Sequence, residues 1–445
     1  MTENIQLSYF KSLPQPFAVV GMGITGRSLV ALLKALGVEA SQIFCFDDKE
    51  PTSFGKPEDL LAKKPGTLFV SPGVPLSSLW IKSAQEQGIK ISSELTLAFS
   101  LLTTERIIAV TGSVGKSTTT SILGAGAFAL SSDCFVGGNL GTPLAIYATE
   151  LLGGSRARAP WVILELSSYQ LENFENFVCD YAAITYLTPN HLERYSELLD
   201  YYLVKLHLIS RTKFACVMNS NGGDLKSTFE SEKNRFLKKQ VPLVQTYWVD
   251  RNSEVLILKN LLPCSLVGEY NKDNLAVAGE LAALAGWPES SFLAMKNFSG
   301  LPHRLENLGV KNSIQFINDS KATTIDSVIQ AVETVLETLT KKSRLILLLG
   351  GHDKNLPWDR LKPMINYSQI VFVFFGEFGA SAQAITGLPG PCFSTLAVAL
   401  SELPKLAQPG DIVLLSPGGT SHDEFKNFEE RGHLFKSEIK RFFGN

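Results

Sequence analysis

The sequence predicts an α/β fold in which short buried strands of parallel sheets alternate with helices. Three observations predict it. A glycine-rich turn at residues 21–26 follows an apolar strand, and a second glycine turn at 112–115 follows another. The same order of strand, polar turn and helix is found again after a hinge-like segment at 300–304. Strands that end in glycine or polar clusters are typical of α/β proteins, which bind ligands at the carboxyl ends of their strands.

The bulk composition indicates a globular chain of about two to four domains. It has 445 residues, of which 45% are hydrophobic and 19% are charged. A net charge of −2 argues against a nucleic-acid partner. The six cysteines form no C-x-x-C pair, which favours reduced thiols over disulfides or a zinc site. With no signal-peptide pattern and no apolar run of about 18 residues, we expect a cytoplasmic protein without a membrane partner.

The first unit, residues 1–95, carries a dinucleotide-type fingerprint. A strand at 17–21 enters the turn Gly21-Met-Gly23-Ile-Thr-Gly26, and a later strand at 43–46 ends at Asp47. Such a turn holds a diphosphate on a helix N-terminus, so it fits NAD or FAD and equally any other nucleotide diphosphate. A further strand ends at the turn that contains Gly73. We expect this unit to be a small doubly wound domain.

The second unit opens with a strand at 106–111 and the turn Gly112-Ser113-Val-Gly115-Lys116-Ser117-Thr118. This is the layout of a phosphate-binding loop, in which a lysine reaches the phosphates and a hydroxyl holds Mg²⁺. The strict motif has four residues between the first glycine and Gly-Lys, whereas this chain has two. A glycine turn without function is the alternative interpretation.

Polar residues follow the next strands of this unit. Glu165 ends a strand at 161–164, where a second Mg²⁺ anchor is expected, although a solvated glutamate is possible there too. His191 follows a strand at 181–187, and Asn139 lies in a glycine-rich stretch. Lys205 lies among apolar residues of a helix. It either extends its amine to solvent or has a depressed pKa, and a neutral amine reacts with CO₂.

The third unit repeats the pattern after the hinge. We predict strands at 314–317, 344–349, 370–375 and 411–415, each followed by a polar or glycine cluster. Arg304, Asp319, Lys321 and Lys354 lie at the hinge or at strand ends, which favours a ligand-binding edge over scattered surface charges. Later in the second unit we predict strands near 243–249 and 254–259, and a helix over 275–285. Asn271 precedes this helix, and an ordinary helix cap is the interpretation of Asn271 without a function.

Together these motifs resemble the Mur ligases, the ATP-dependent amide ligases of peptidoglycan precursor synthesis. The segments VTGSVGKSTTT, GGNLGTP, ELSSYQLE, GLPHR, INDSKAT and LLLGG occur in the family's order. The segments ELSSYQLE and NDSKAT resemble the corresponding segments of the family members that add D-glutamate to UDP-N-acetylmuramoyl-L-alanine. The resemblance implies three domains: a Rossmann-like domain for the UDP substrate (1–95), a central P-loop-type ATPase domain with a mostly parallel sheet (96–300), and a Rossmann-like domain that helps bind ATP and the amino acid (301–445).

The resemblance also implies ATP, two Mg²⁺ ions and an N-carboxylated Lys205, and we expect a monomer. Residues implied to contact the UDP substrate are Gly23, Ile24, Thr25, Asp47, Gly73, Asn139 and His191. Residues implied to contact ATP are Gly112, Ser113, Gly115, Lys116, Ser117, Thr118, Asn271, Arg304 and Asp319. Metal ligands would be Ser117, Glu165, His191 and Lys205, and D-glutamate contacts would be Lys321, Thr323, Lys354, Ser421 and Phe428. The catalytic set would be Lys116, Glu165, His191, Lys205, Lys321 and Lys354.

Two departures and three alternatives accompany this prediction. Val114 stands where the family commonly has Asn, and 417–421 read Pro-Gly-Gly-Thr-Ser in place of the more familiar Pro-Ala-Cys-Ala-Ser. An NAD-dependent oxidoreductase would bind its cofactor at the first glycine fingerprint, and Lys116 would have no role in its activity. Another Mur-type or a folylpolyglutamate-type ligase would take a different acceptor. A non-catalytic nucleotide-binding protein would bind ATP or UDP without forming an amide.

Overall fold

The structure, a computed structural model, describes residues 7–48, 54–189, 194–238, 244–266, 268–340, 342–354 and 356–444. The chain forms two compact units. One comprises Met1–Pro263 with Asp273–Lys296, and the other comprises Cys264–Lys272 with Asn297–Asn445. Among the described residues, none of the helices has the length and apolar character needed to cross a membrane.

The first unit begins with a parallel four-stranded sheet in the order β2-β1-β3-β4. Its strands are apolar and mostly buried, as the short hydrophobic runs predict. The chain leaves β1 for β2 on one side and returns to β3 on the other, so the end of β1 is a switch point where α/β proteins bind ligands. The strands are β1 Phe17–Val20, β2 Ile43–Phe46, β3 Thr67–Val70 and β4 Lys90–Ser92, and the helices are α1 Ser8–Ser12, α2 Ile24–Ala35, α3 Pro57–Leu61, α4 Leu79–Glu86 and α5 Glu94–Phe99, with a 3₁₀ turn at Ala40–Gln42.

The same unit contains a parallel six-stranded sheet in the order β10-β9-β8-β5-β7-β6. β5 lies between β7 and β8, so the loop after β5 is at the centre of the carboxyl edge. The strands are β5 Arg106–Thr111, β6 Phe135–Gly138, β7 Trp161–Glu165, β8 Cys179–Ile184, β9 Thr212–Asn219 and β10 Gln245–Val249. The helices are α6 Lys116–Phe128, α7 Leu144–Leu152, α8 Ser168–Glu172, α9 Leu198–Ser210, α10 Leu225–Lys238, α11 Val255–Leu258 and α13 Glu289–Lys296, together with α12 Glu269–Leu284, whose first four residues belong to the other unit.

The second unit is built on a six-stranded sheet in the order β11-β12-β16-β13-β14-β15. Only the edge strand β11 is antiparallel within this sheet, and the other pairs are parallel. Apolar clusters pack against both faces of the sheet. The strands are β11 Glu306–Lys311, β12 Ile314–Asn318, β13 Leu345–Gly350, β14 Ile370–Phe375, β15 Cys392–Phe393 and β16 Ile412–Gly418, and the helices are α14 Ile325–Leu336, α15 Gly379–Thr386, α16 Leu396–Leu406 and α17 Phe428–Phe443, with a 3₁₀ helix at Trp358–Asn366.

Two local predictions were wrong. The strand predicted at 254–259 is helical: Leu258 N–H donates to the Glu254 carbonyl and Lys259 N–H to the Val255 carbonyl. Its apolar residues do not alternate, so the run suits one turn of helix as well as a strand. The helix predicted over 275–285 begins earlier, at Glu269, so Asn271 lies within α12 and the helix-cap alternative for it does not hold. The strands β4, β6, β11 and β15 were not predicted because they are short, glycine-containing or lie at sheet edges.

Candidate active site

The loop between β5 and α6 is held in a conformation that requires glycine at two positions. Gly112 has φ +149° and Gly115 has φ +85°. A Cβ atom at Gly112 would lie 2.2 Å from Thr185 Oγ1, and one at Gly115 would lie 2.5 Å from Asn274 Oδ1. Neither position has room for a side chain. The loop is therefore a packed turn at the centre of the sheet edge, although it is two residues shorter than the strict motif.

Side chains brace this loop from the segment after β8. Thr185 Oγ1 donates a hydrogen bond to the Val114 carbonyl at 2.5 Å. Ser113 Oγ donates to the Thr188 carbonyl at 3.0 Å, and Tyr201 OH donates to Ser113 Oγ at 3.0 Å. The hydroxyl of Ser113, predicted to contact ATP, is thus engaged with the protein.

The start of α6 offers the groups that bind an anion. Gly115 caps the helix without a side-chain hydrogen bond, and Lys116 and Ser117 are its first residues. The Nζ atom of Lys116 donates to the Ser113 carbonyl at 3.0 Å, so the ammonium is folded over the loop. Ser117 is buried and Thr118 is half-buried. A helix N-terminus with a lysine above it attracts phosphate through its partial positive charge and backbone N–H groups.

Glu165 is the last residue of β7, beside the phosphate-loop strand β5. It is 2% exposed. Its Oε1 atom accepts a hydrogen bond from Asn139 Nδ2 at 2.6 Å, whereas Oε2 is buried without a hydrogen-bond partner among the described residues. A buried carboxylate oxygen without a partner is costly, because desolvation is not offset. This oxygen is therefore a suitable ligand for a cation.

Lys205 projects from α9 beneath the phosphate loop and is 1% exposed. Its Nζ atom donates to the Gly112 carbonyl at 2.9 Å and lies 4.8 Å from the centre of the Tyr201 ring. Burial holds the pKa of the Lys205 ammonium well below its ordinary value; the charge of Lys116 acts in the same direction, and Glu165 opposes it. The structure thus favours a neutral amine over one extended to solvent.

These groups fit Mg²⁺ and a carboxylated lysine. Ser117, Glu165 and a carbamate on Lys205 would present hydroxyl and carboxylate oxygens, which Mg²⁺ prefers. Among the described residues there is no cluster of three or more His, Cys, Asp or Glu side chains that would hold a metal unaided. The predicted ligand His191 lies outside the described residues.

The glycine fingerprint of the first sheet faces a cavity of about 400 Å³. Asp47 Oδ2 accepts the Met22 N–H at 2.5 Å, which fixes the turn. A Cβ atom at Gly26 would lie 2.0 Å from the Gly21 carbonyl oxygen, so α2 packs directly on the turn. The cavity brings together all the described residues predicted to contact the UDP substrate, namely Gly23, Ile24, Thr25, Asp47, Gly73 and Asn139.

In the second unit, a buried acidic residue adjoins the hinge segment. Asp319 accepts hydrogen bonds from Leu305 N–H at 3.1 Å and from Ser416 Oγ at 2.9 Å. Burial raises the pKa of Asp319 to about 7, although these hydrogen bonds and the charge of Arg304 act to lower it. Arg304 Nε is buried without a hydrogen-bond partner among the described residues. Burial also raises the pKa of Tyr270, and the charge of Asp319 raises it further. Tyr270, next to Asn271 in the sequence, therefore lies close to Asp319.

The predicted D-glutamate contacts lie on the segments that follow β12, β13 and β16. Lys321 Nζ lies 4.9 Å from the centre of the Phe428 ring. His352 and Thr420 exchange backbone hydrogen bonds of 2.8 Å in both directions, which places the exposed Lys354 and the buried Ser421 on adjoining loops. Thr323 is half-buried just before α14.

Known proteins match the chain over almost its whole length. The Mur ligase middle domain matches residues 110–282, and the Mur ligase glutamate ligase domain matches residues 303–419. A UDP-N-acetylmuramoylalanine–D-glutamate ligase from Escherichia coli strain K12 is 32% identical over 94% of this chain and 96% of its own length. The relative of the same name from Haemophilus influenzae strain KW20 has the same identity and coverage. The chain belongs to the Mur ligase family.

Solved structures confirm the α/β fold of this Mur ligase. The UDP-N-acetylmuramate–alanine ligase of Thermotoga maritima superposes with a TM-score of 0.56 at 17% identity, covering 96% of this chain and 99% of its own. Escherichia coli FolC, solved with DHPP and ADP, gives the same TM-score at 14% identity, covering 83% and 99%. At such identities the likeness concerns the fold alone.

The sequence reasoning missed supporting residues of this Mur ligase. Thr185 and Tyr201 brace the phosphate loop, and Arg431 is a fully buried cation. The guanidinium of Arg431 donates to the carbonyls of Ser320, Gly419 and Thr420, and so joins two of the loops just described. The position of Thr185, a polar residue directly after an apolar strand, could have indicated its role in the sequence. For Arg431, a charge within a charged helix segment gives no signal of burial.

Proposed function

We propose that this Mur ligase joins D-glutamate to the carboxyl group of UDP-N-acetylmuramoyl-L-alanine, with conversion of ATP to ADP and phosphate. The observation that carries the proposal is the convergence of Lys116, Glu165 and Lys205 at the phosphate loop. It occurs in a chain that is similar over 94% of its length to ligases named for this reaction.

ATP would activate the acceptor carboxylate, since a carboxylate is a poor acyl donor. The carboxylate oxygen attacks the γ-phosphorus, and the products are an acyl phosphate and ADP. Lys116 and the N–H groups at the start of α6 would neutralise the phosphate charge, the main task in phosphoryl transfer. Two Mg²⁺ ions held by Ser117, Glu165, His191 and carboxylated Lys205 would add to that neutralisation. We also propose that Gly112, Ser113, Gly115, Thr118, Asn271, Arg304 and Asp319 contact the nucleotide.

The amide would then form at the activated carbonyl. The amine of D-glutamate, after losing a proton, attacks the acyl carbon; the tetrahedral intermediate collapses, the acyl–oxygen bond breaks and phosphate leaves. Lys321 and Lys354 would bind the two carboxylates of the amino acid, because ammonium groups attract them. Thr323, Ser421 and Phe428 would complete this pocket.

The cavity of the first sheet would hold the UDP substrate. Its diphosphate would lie against the N-terminus of α2, where Gly23 caps the helix without a side-chain hydrogen bond. Ile24, Thr25, Asp47, Gly73 and Asn139 would supply the remaining contacts, together with His191. We propose three functional domains, 1–95, 96–300 and 301–445, in a monomeric cytoplasmic enzyme.

The experiment is phosphate release from MgATP with UDP-N-acetylmuramoyl-L-alanine, measured with and without D-glutamate. The proposal predicts release that requires both substrates, and a product heavier by one glutamate residue in the mass spectrum. L-Glutamate and L-alanine serve as matched acceptors.

Other outcomes select the alternatives. If D-glutamate fails and another amino acid is incorporated, the ligase class stands and the acceptor is wrong. If no acceptor stimulates release while ATP still binds, the chain is a nucleotide-binding protein. Quenching of nicotinamide fluorescence by the protein would instead support the oxidoreductase.

A further inference from the structure

The side chain of Trp358 lies between two loops of the second unit. It begins the 3₁₀ helix Trp358–Asn366 and is 1% exposed. Its indole Nε1–H donates to Asp353 Oδ1 at 2.9 Å. The same carboxylate oxygen accepts the Leu356 N–H at 3.1 Å, so one oxygen closes the turn that contains Lys354.

The opposite edge of the indole supports the other loop. A Cβ atom at Gly418 would lie 3.2 Å from Cη2 and 3.3 Å from Cζ3 of Trp358. Gly418 has φ +81° and ends β16, three residues before Ser421. The loop at Gly418 is therefore in contact with the ring, with no spare room for a side chain.

The two loops are also joined directly by their backbones. Gly419 N–H donates to the Gly350 carbonyl at 3.1 Å, next to the paired His352 and Thr420. A Cβ atom at Gly351 would lie 2.4 Å from the Thr420 carbonyl oxygen. The Asp353 turn and the Ser421 loop are thus joined by backbone hydrogen bonds and close backbone contacts.

We infer that the Asp353–Trp358 pair is a positioning device that fixes Lys354 relative to Ser421 and so sets the affinity for the incoming amino acid. This inference rests on the proposed function, in which Lys354 and Ser421 bind D-glutamate. Neither Asp353 nor Trp358 is assigned a direct contact with the substrate. Their effect is to hold an exposed lysine in one place, which reduces the ordering required when the amino acid binds.

The test is a set of variants with steady-state kinetics for each substrate. Trp358→Phe removes the bonded N–H together with the ring edge that faces Gly418, and Asp353→Ala removes the acceptor while keeping the indole. Each should raise the KM for D-glutamate about tenfold, the effect of losing one charge-assisted hydrogen bond, and leave the KM values for ATP and the UDP substrate within about twofold. The double variant should lose less than the sum of the two single effects, because the Asp353–Trp358 hydrogen bond is shared by both substitutions. Asp353→Asn, which keeps an acceptor oxygen, should recover most of the affinity.

Trp287→Phe is the matched control. Trp287 is also buried, but its Nε1–H has no hydrogen-bond partner among the described residues. This variant should leave the KM for D-glutamate unchanged.

A readout without turnover separates this inference from the proposed function. In the native protein, trypsin should cleave after Lys354 several-fold faster in Trp358→Phe than in wild type or Trp287→Phe. If wild type shows no D-glutamate-dependent turnover, the proposed function fails, and the cleavage rates still decide whether the pair fixes the loop. An unchanged KM and cleavage rate in Trp358→Phe would overturn the inference. So would a uniform loss of kcat and thermal stability, which would indicate a merely structural role.

Discussion

Lys205 donates a hydrogen bond from its buried Nζ atom to the carbonyl oxygen of Gly112, at 2.9 Å and across 93 positions of sequence. A carbamate formed on that nitrogen would retain one N–H, so the bond to Gly112 is compatible with the carboxylated form. The low pKa of the amine also supports carboxylation, since only the neutral form attacks CO₂. The same contact ties α9 to the phosphate loop.

We expect Lys205→Ala to reduce turnover by at least about a hundredfold. The variant lacks the carbamate that would hold Mg²⁺, and so part of the charge neutralisation at the phosphates is lost. Added bicarbonate should not restore this variant, whereas a short carboxylic acid should restore part of it by occupying the vacated space. Lys226→Ala, which changes an exposed lysine of the same unit, is the control. Undiminished activity of Lys205→Ala without any additive would rule out the carbamate.

We expect Glu165→Gln to reduce the Mg²⁺ enhancement of nucleotide binding. The amide keeps an acceptor for Asn139 but replaces the charged, unpartnered oxygen that suits a cation. Calorimetric titration with ADP, with and without Mg²⁺, measures the effect directly. Glu230→Gln changes an exposed carboxylate of the same unit and should behave as wild type. Equal Mg²⁺ enhancement in Glu165→Gln and wild type would contradict a metal ligand at this position.

We expect Gly115→Ala to weaken ATP binding by about tenfold or more, because its Cβ would collide with Asn274 and displace the phosphate loop. Gly37→Ala is a matched control for backbone strain. Gly37 has φ +86°, close to the +85° of Gly115, but a Cβ there would meet nothing within 4 Å. Both variants should lose some stability, and only Gly115→Ala should lose affinity for ATP in a fluorescence titration. Equal losses of affinity would mean that strain alone is responsible.

We expect Glu94→Gln to flatten the pH dependence of stability. Burial raises the pKa of Glu94 to about 7, against a hydrogen bond from Ala145 N–H. Between its ordinary value and about 7, the folded state binds a proton that the unfolded state lacks, so stability falls as pH rises. Thermal unfolding midpoints of wild type should therefore decrease between pH 5 and pH 8, and the decrease should be smaller by a few degrees in Glu94→Gln.

Two comparisons check this prediction. Glu86→Gln, at an exposed carboxylate of the same unit, should keep the wild-type slope. Asp319 also has a pKa of about 7 and should contribute a slope of the same sign, so Glu94→Gln should remove only part of the effect. Identical slopes in wild type and Glu94→Gln would show that Glu94 titrates near its ordinary pKa.

The fold was predictable where glycine turns follow apolar strands. The β1 turn and the phosphate loop were located correctly because positive φ angles and close contacts leave glycine as the only choice. The short run at 255–258 was not, since two of its residues are buried and two are exposed in a pattern that neither helix nor strand periodicity decides.

Much of the candidate site was predictable from residues at strand ends, and its supporting residues were not. Glu165 and Lys205 could be selected from local sequence, and the structure places both beside the phosphate loop. Trp358 and Arg431 gain their importance from contacts across 60 or more positions with Gly418 or with Ser320. Such pairings depend on strand order, which local patterns do not specify.

The bulge in β11 has a consequence for how copies of this protein behave at high concentration. β11 is an outer strand of its sheet, and its pairing with β12 shifts register between Asn307 and Val310, around a glycine with φ +85°. A strand of a second molecule that paired with this edge would meet a bent row of backbone donors and acceptors. It could form hydrogen bonds with only a few of them. The irregularity therefore protects the sheet against edge-to-edge aggregation, and straightening it by Gly309→Val would remove that protection.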